Sequence, residues 1–99
     1  MKTIELDLSK CKDLSELHER IKVAFGFPEY YGGNWAAFWD LLWSECDADQ
    51  VIIIGEETLS EEFIDQLAIM HNVLKDAAEF RKNNDLAPFS YKILKEETK

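Results

Sequence analysis

The sequence has few of the residues from which reactive sites are usually built. Its two cysteines, Cys11 and Cys46, can close at most one bridge. That excludes a disulfide framework and suits a reducing compartment in which both are free thiols. There are only two histidines, His18 and His71, and no Ser sits in a glycine-flanked elbow. No run approaches the roughly 18 to 20 apolar residues that span a bilayer. The first seven residues alternate charge with apolarity and lack the unbroken apolar stretch of a signal peptide, so a cytoplasmic location is expected. There is no internal repeat and no low-complexity segment. The most informative shortage is of positive charge: from Val23 to Leu74 there is no Lys or Arg at all.

That same segment holds ten acids: Glu29, Asp40, Glu45, Asp47, Asp49, Glu56, Glu57, Glu61, Glu62 and Asp65. With a net charge of -9, the chain is repelled by nucleic acid and by anionic membranes, and neither is expected as a partner. The acidic middle can steer a basic partner, or it can simply keep the surface solvated. At 99 residues, 46% hydrophobic and 31% charged, the composition supports one globular domain, placed at 1–94, with a charged, frayed tail at 95–99.

Along the chain, Ile4, Leu6 and Leu8 alternate with polar residues as a half-buried strand. Asp13 and Glu16 make a capping-box-like pair ahead of a helix with Leu14, Leu17, Ile21, Ala24 and Phe25 on one side. Gly26 stops it. His18 falls on the polar side of that helix and reads as a surface residue. Asn34 is the expected N-cap of a second helix reaching about Cys46, with Trp35, Phe38, Trp39, Leu42 and Cys46 on the buried face. Asp40 lies on a flank between Ala36 and Trp43, at the margin of the core, where a carboxylate is only partly hydrated. Four consecutive β-branched residues, Val51 to Ile54, read as a strand covered on both faces, as in a parallel sheet. A third helix from about Glu61 to Arg81, capped by Ser60 or Thr58, meets two weak helix formers at His71-Asn72, where it can bend or break. Phe89, Tyr91 and Ile93 alternate as a last strand. The expected fold is α/β, a three-stranded parallel sheet packed with three to four helices.

No spacing of His, Cys, Asp or Glu forms a metal or nucleophile motif, so no cofactor, metal or enzymatic role is expected. Gly32-Gly33 precedes a helix as a phosphate loop does, but it follows no strand and no Lys or Arg comes after it. A positive-φ turn is the better reading. There remains Pro28 to Trp43, which gathers two Tyr, two Gly and three Trp around one acid. Tyr and Trp give large rigid contact area at low entropic cost, which favours a binding surface. The competing reading makes Phe38 and Trp39 plain core and the two Tyr mere pins of the loop.

The run Pro28-Glu29-Tyr30-Tyr31-Gly32-Gly33-Asn34-Trp35-Ala36-Ala37-Phe38-Trp39-Asp40 resembles the recognition segment of the barstar family, intracellular inhibitors of the ribonuclease barnase. The element order matches from about residue 3 to 94. The resemblance implies a one-to-one inhibitor of a basic, secreted, barnase-like ribonuclease. It also implies contacts from Tyr30, Tyr31, Gly32, Asn34, Trp35, Ala36, Trp39 and Asp40, joined by Asp76 on the third helix. In it Asp40 is the central carboxylate, standing where the substrate phosphate would bind. Ala36 departs from the family pattern, which places a second acid there. The alternative is an interaction or immunity module of the same fold whose partner is not a ribonuclease.

Overall fold

The computed structural model of the chain describes residues 2–94 and begins with β1 (Thr3–Asp7). Ile4 and Leu6 are buried on one side of this strand and Thr3, Glu5 and Asp7 are exposed on the other. The helix α1 (Leu14–Phe25) follows, then α2 (Trp35–Ser44), β2 (Gln50–Ile54), α3 (Ile64–Asn83) and β3 (Ser90–Leu94). Two short 3-10 turns, Glu56–Thr58 and Glu61–Phe63, lead from β2 into α3. The sheet has the order β1-β2-β3 and is parallel throughout, with Ile4 beside Val51 and Val51 beside Tyr91. The parallel α/β architecture is as expected, with three α-helices. The charged segment 95–99 lies outside the described residues.

Strand periodicity and this register put Ile4, Leu6, Val51, Ile53, Tyr91 and Ile93 on one face of the sheet. All six belong to or pack on one hydrophobic cluster with Leu17 and Ile21 of α1, Phe38, Leu41 and Leu42 of α2, and Met70 and Leu74 of α3. The opposite face, running through Glu5, Ile52 and Lys92, holds no buried residue among those described. This corrects the expectation that β2 is covered on both faces. Ile52 and Ile54 are half-buried between flanking strands; β-branched residues suit a central strand through such neighbours without a second layer of helices.

The helix ends follow local chemistry where the sequence provides it. Asp13 caps α1 by accepting from Glu16 N at 2.8 Å, and Glu16 reaches back to Lys12 N at 2.8 Å. Arg20 of α1 donates to the carbonyls of Asp7 (3.1 Å) and Ser9 (2.8 Å), fastening the helix to the end of β1. Gly26, at φ 67°, ends α1, and Phe27 N returns to Lys22 O at 3.0 Å. The start of α3 differs from expectation, because neither Ser60 nor Thr58 caps it. The Thr58 hydroxyl instead donates to Gly55 O and accepts from Lys10 N, both at 2.7 Å, tying the 3-10 turn to the loop after β1. From Ile64 the helix continues through His71 and Asn72 without a break.

Candidate partner-binding surface

The loop ahead of α2 is held from beneath. Tyr31 is 7% exposed, and its hydroxyl lies 2.6 Å from His18 Nδ1 on α1. His18 is itself only 5% exposed, which corrects the reading of a surface histidine. Its ring is enclosed by Tyr31 and Trp35, whose ring centroids lie 5.8 and 4.4 Å from that of His18. Burial pulls the His18 pKa below its ordinary value and pushes the Tyr31 phenol above its own, so both are neutral. The Trp35 indole N–H donates to Gln66 Oε1 of α3 at 2.8 Å. One chain of contacts thus links α1, the loop, α2 and α3.

Above this pin the loop is open. Tyr30 is 73% exposed, and Gly32, Gly33 and Asn34 are exposed as well. Gly33 has φ 68°, the positive value expected of a turn, while Gly32 does not. Asn34 caps α2, its Oδ1 accepting from Ala37 N at 2.8 Å.

On α2 the fully buried positions are Phe38, Leu41 and Leu42, while Trp35, Trp39 and Trp43 are half-buried. The helix is therefore turned away from the orientation expected, toward Leu41. Asp40 moves outward with Ala36 and Ser44 and is exposed, which corrects its placing at the core margin. Its carboxylate has no hydrogen-bond or ion-pair partner among the described residues. The half-buried indoles face α3: Phe80 meets Trp39 at 5.6 Å and Trp43 at 5.2 Å between centroids, edge to face. Asp76, one helical turn before Phe80, is exposed on the same flank of α3. The loop, the outer stripe of α2 and this flank form one continuous surface. Most of the residues singled out from sequence, Tyr30, Gly32, Asn34, Trp35, Ala36, Trp39, Asp40 and Asp76, reach it, whereas Tyr31 lies underneath.

The acidic middle of the chain is partly matched internally. Glu29 pairs with Lys22 (3.0 Å), Asp47 with Lys2 (2.7 Å) and Glu56 with His71 (2.7 Å). Asp40, Glu45, Glu61, Glu62 and Asp65 have no cationic partner among the described residues. No group of three or more His, Cys, Asp or Glu among the described residues is placed to hold a metal. No helix of the described residues is long and apolar enough to cross a membrane. Both cysteines are free and buried, and burial pushes both thiols up in pKa.

The family model described as Barstar (barnase inhibitor) matches residues 1–93. The chain belongs to the barstar family. The "Putative ribonuclease inhibitor YrdF" of Bacillus subtilis (strain 168) is 29% identical over 68 residues, covering 69% of this chain and 75% of that protein. Both matches point at family level to a barnase-inhibitor-like role with a ribonuclease as partner. Two residues that shape this barstar-family surface escaped the sequence reading. His18 stands four residues after Leu14, three before Ile21 and seven before Phe25, so helical spacing sets it on the buried face of α1, and only its polar side chain pointed the other way. Arg81, in the last turn of α3, is 8% exposed and donates to carbonyls at the end of α2.

Proposed function

We propose that the chain is a stoichiometric, cytoplasmic inhibitor of a basic secreted ribonuclease. It blocks the enzyme's active site with the loop 28–34 and the outer stripe of α2. The observation that carries this reading is Asp40: an exposed carboxylate without an internal partner, on a helix anchored at both ends and flanked by aromatic rings. A carboxylate so held can enter the site of the substrate phosphate and pair with cationic groups there while offering no bond to cleave. Tyr30, Gly32, Asn34, Trp35, Ala36 and Trp39 supply surrounding contact and Asp76 a second charge. Tyr31 acts from behind by holding the loop. The unmatched acids steer a basic enzyme toward this face, giving an on-rate that falls with salt. The uncharged Ala36 beside Asp40 favours a target whose surface differs from that of barnase.

The test measures RNA cleavage by basic secreted ribonucleases, with barnase as first probe, against increasing inhibitor. Complete loss of cleavage at one equivalent is expected. Replacing Asp40 by Ala should weaken binding by several kcal/mol, a scale taken from barnase–barstar charge pairs themselves. Equal inhibition by Asp40→Ala removes the phosphate mimic. Cleavage untouched across the enzymes tried leaves an interaction or immunity module whose partner is not a ribonuclease.

A further inference from the structure

We propose that Arg81 is a positioning residue for the binding surface: from α3 it caps the C-terminal end of α2 and fixes how Asp40 and Trp43 stand against Asp76 and Phe80. The proposal rests on the function proposed above.

The end of α2 lacks the local means of closing a helix. Its C-cap, Glu45, has φ -120° and ψ -14°, so no left-handed residue turns the chain back. Glu45 N and Cys46 N both bond to Leu41 O, at 2.9 and 3.0 Å. The Leu42 carbonyl, which Cys46 N would serve if the helix continued, is left to another donor. Arg81 Nη1 supplies it at 3.1 Å and also donates to Cys46 O at 2.5 Å. The guanidinium carbon lies 5.9 Å from the centroid of the Phe89 ring, and Nε has no hydrogen-bond partner among the described residues.

No carboxylate forms an ion pair with Arg81 among the described residues. A buried cation hydrogen-bonded only to carbonyls, with the Phe89 ring beside it and the exposed Asp47 carboxylate acting on it through charge alone, is costly, and its presence calls for a reason. α2 has no basic residue in its last turn, and its C-cap is itself an acid, Glu45, at the negative helix end where an anion is disfavoured. A cation brought in from α3 offsets that repulsion without pairing with the carboxylate. Because Arg81 is engaged by the carbonyls of Leu42 and Cys46 and forms no ion pair with Asp40, that carboxylate stays available to a partner's cation, while α2 is locked to the helix that bears Asp76.

The test uses Arg81→Lys, which keeps the charge but cannot reproduce the planar fork. In hydrogen exchange, the Glu45 and Cys46 amides should speed up on the order of tenfold, while those of Val51 and Ile53 stay as slow as before, showing an intact core. Affinity for barnase should fall on the order of tenfold through faster dissociation, with association nearly unchanged. Asp40→Ala should cost a smaller factor in the Arg81→Lys background than alone, a coupling that mere loss of stability does not produce. Additive losses, or unchanged exchange at Glu45 and Cys46, overturn the proposal. If the wild-type chain leaves barnase active, the inhibitor reading fails for that enzyme, and exchange at the two amides still decides the positioning role.

Discussion

The two ends of α2 are held by different chemistry. At the start, Asn34 caps the helix from three residues away, Gly33 sets the turn, and neutral groups do the rest: His18 against Tyr31, Trp35 against Gln66. At the finish nothing local suffices, and a charged side chain arrives from 35 to 39 residues further along the chain. The first end is built from redundant, individually modest contacts. The second depends on one buried cation whose loss strands two carbonyl groups.

That contrast orders the expected effects of substitution. Arg81→Ala is the most damaging change, expected to cost about 3 kcal/mol of stability in urea unfolding, since two buried acceptors lose their donor and packing is lost with them. A value near zero would mean that the end of α2 closes without it. Asn34→Ala should cost about 1 kcal/mol, the usual worth of an N-cap, because the other contacts at that end remain. A loss as large as that at Arg81 would erase the distinction between the ends. The smallest effect concerns pH. His18 has its folded pKa below the ordinary 6.5, so the unfolded chain binds the proton more readily. Its contribution is fully present above about pH 6.5 and is lost as pH falls through the folded value. Unfolding curves taken from pH 8 to 5 should show this decline, and His18→Gln should flatten it. An unchanged slope would assign the acid sensitivity to other groups.

Local signals made most of the fold legible. Ile4, Leu6 and Leu8 announced the first strand by alternation alone, and Asp13, Gly26 and Asn34 marked helix ends because a cap acts within four residues of itself. Pro28 to Asp40 was recognisable because a cluster of aromatics and glycines around one acid is uncommon. Most of the misreadings share one cause. Whether β2 has one or two covered faces and which way α2 is rotated are decided by elements distant in sequence, as is the partner His18 meets in Tyr31, although its spacing from Ile21 and Phe25 already placed it on the buried face of α1. Leu41 lies outside the stripe of aromatics in α2, yet it is buried in the core cluster and Asp40 is turned outward. Arg81 was hidden for the same reason: a cation in the last turn of a helix ordinarily serves its own carbonyls, and here it serves another helix.

The bare side of the sheet has a practical meaning. Glu5, Ile52 and Lys92 lie across the molecule from the outer stripe of α2, because the helices occupy the opposite face. Lys92 is exposed on a strand whose inward neighbours, Tyr91 and Ile93, pack on the core. A dye, a surface linkage or a fused tag attached there would sit on the far side from Asp40 and leave the loop, α2 and α3 unobstructed.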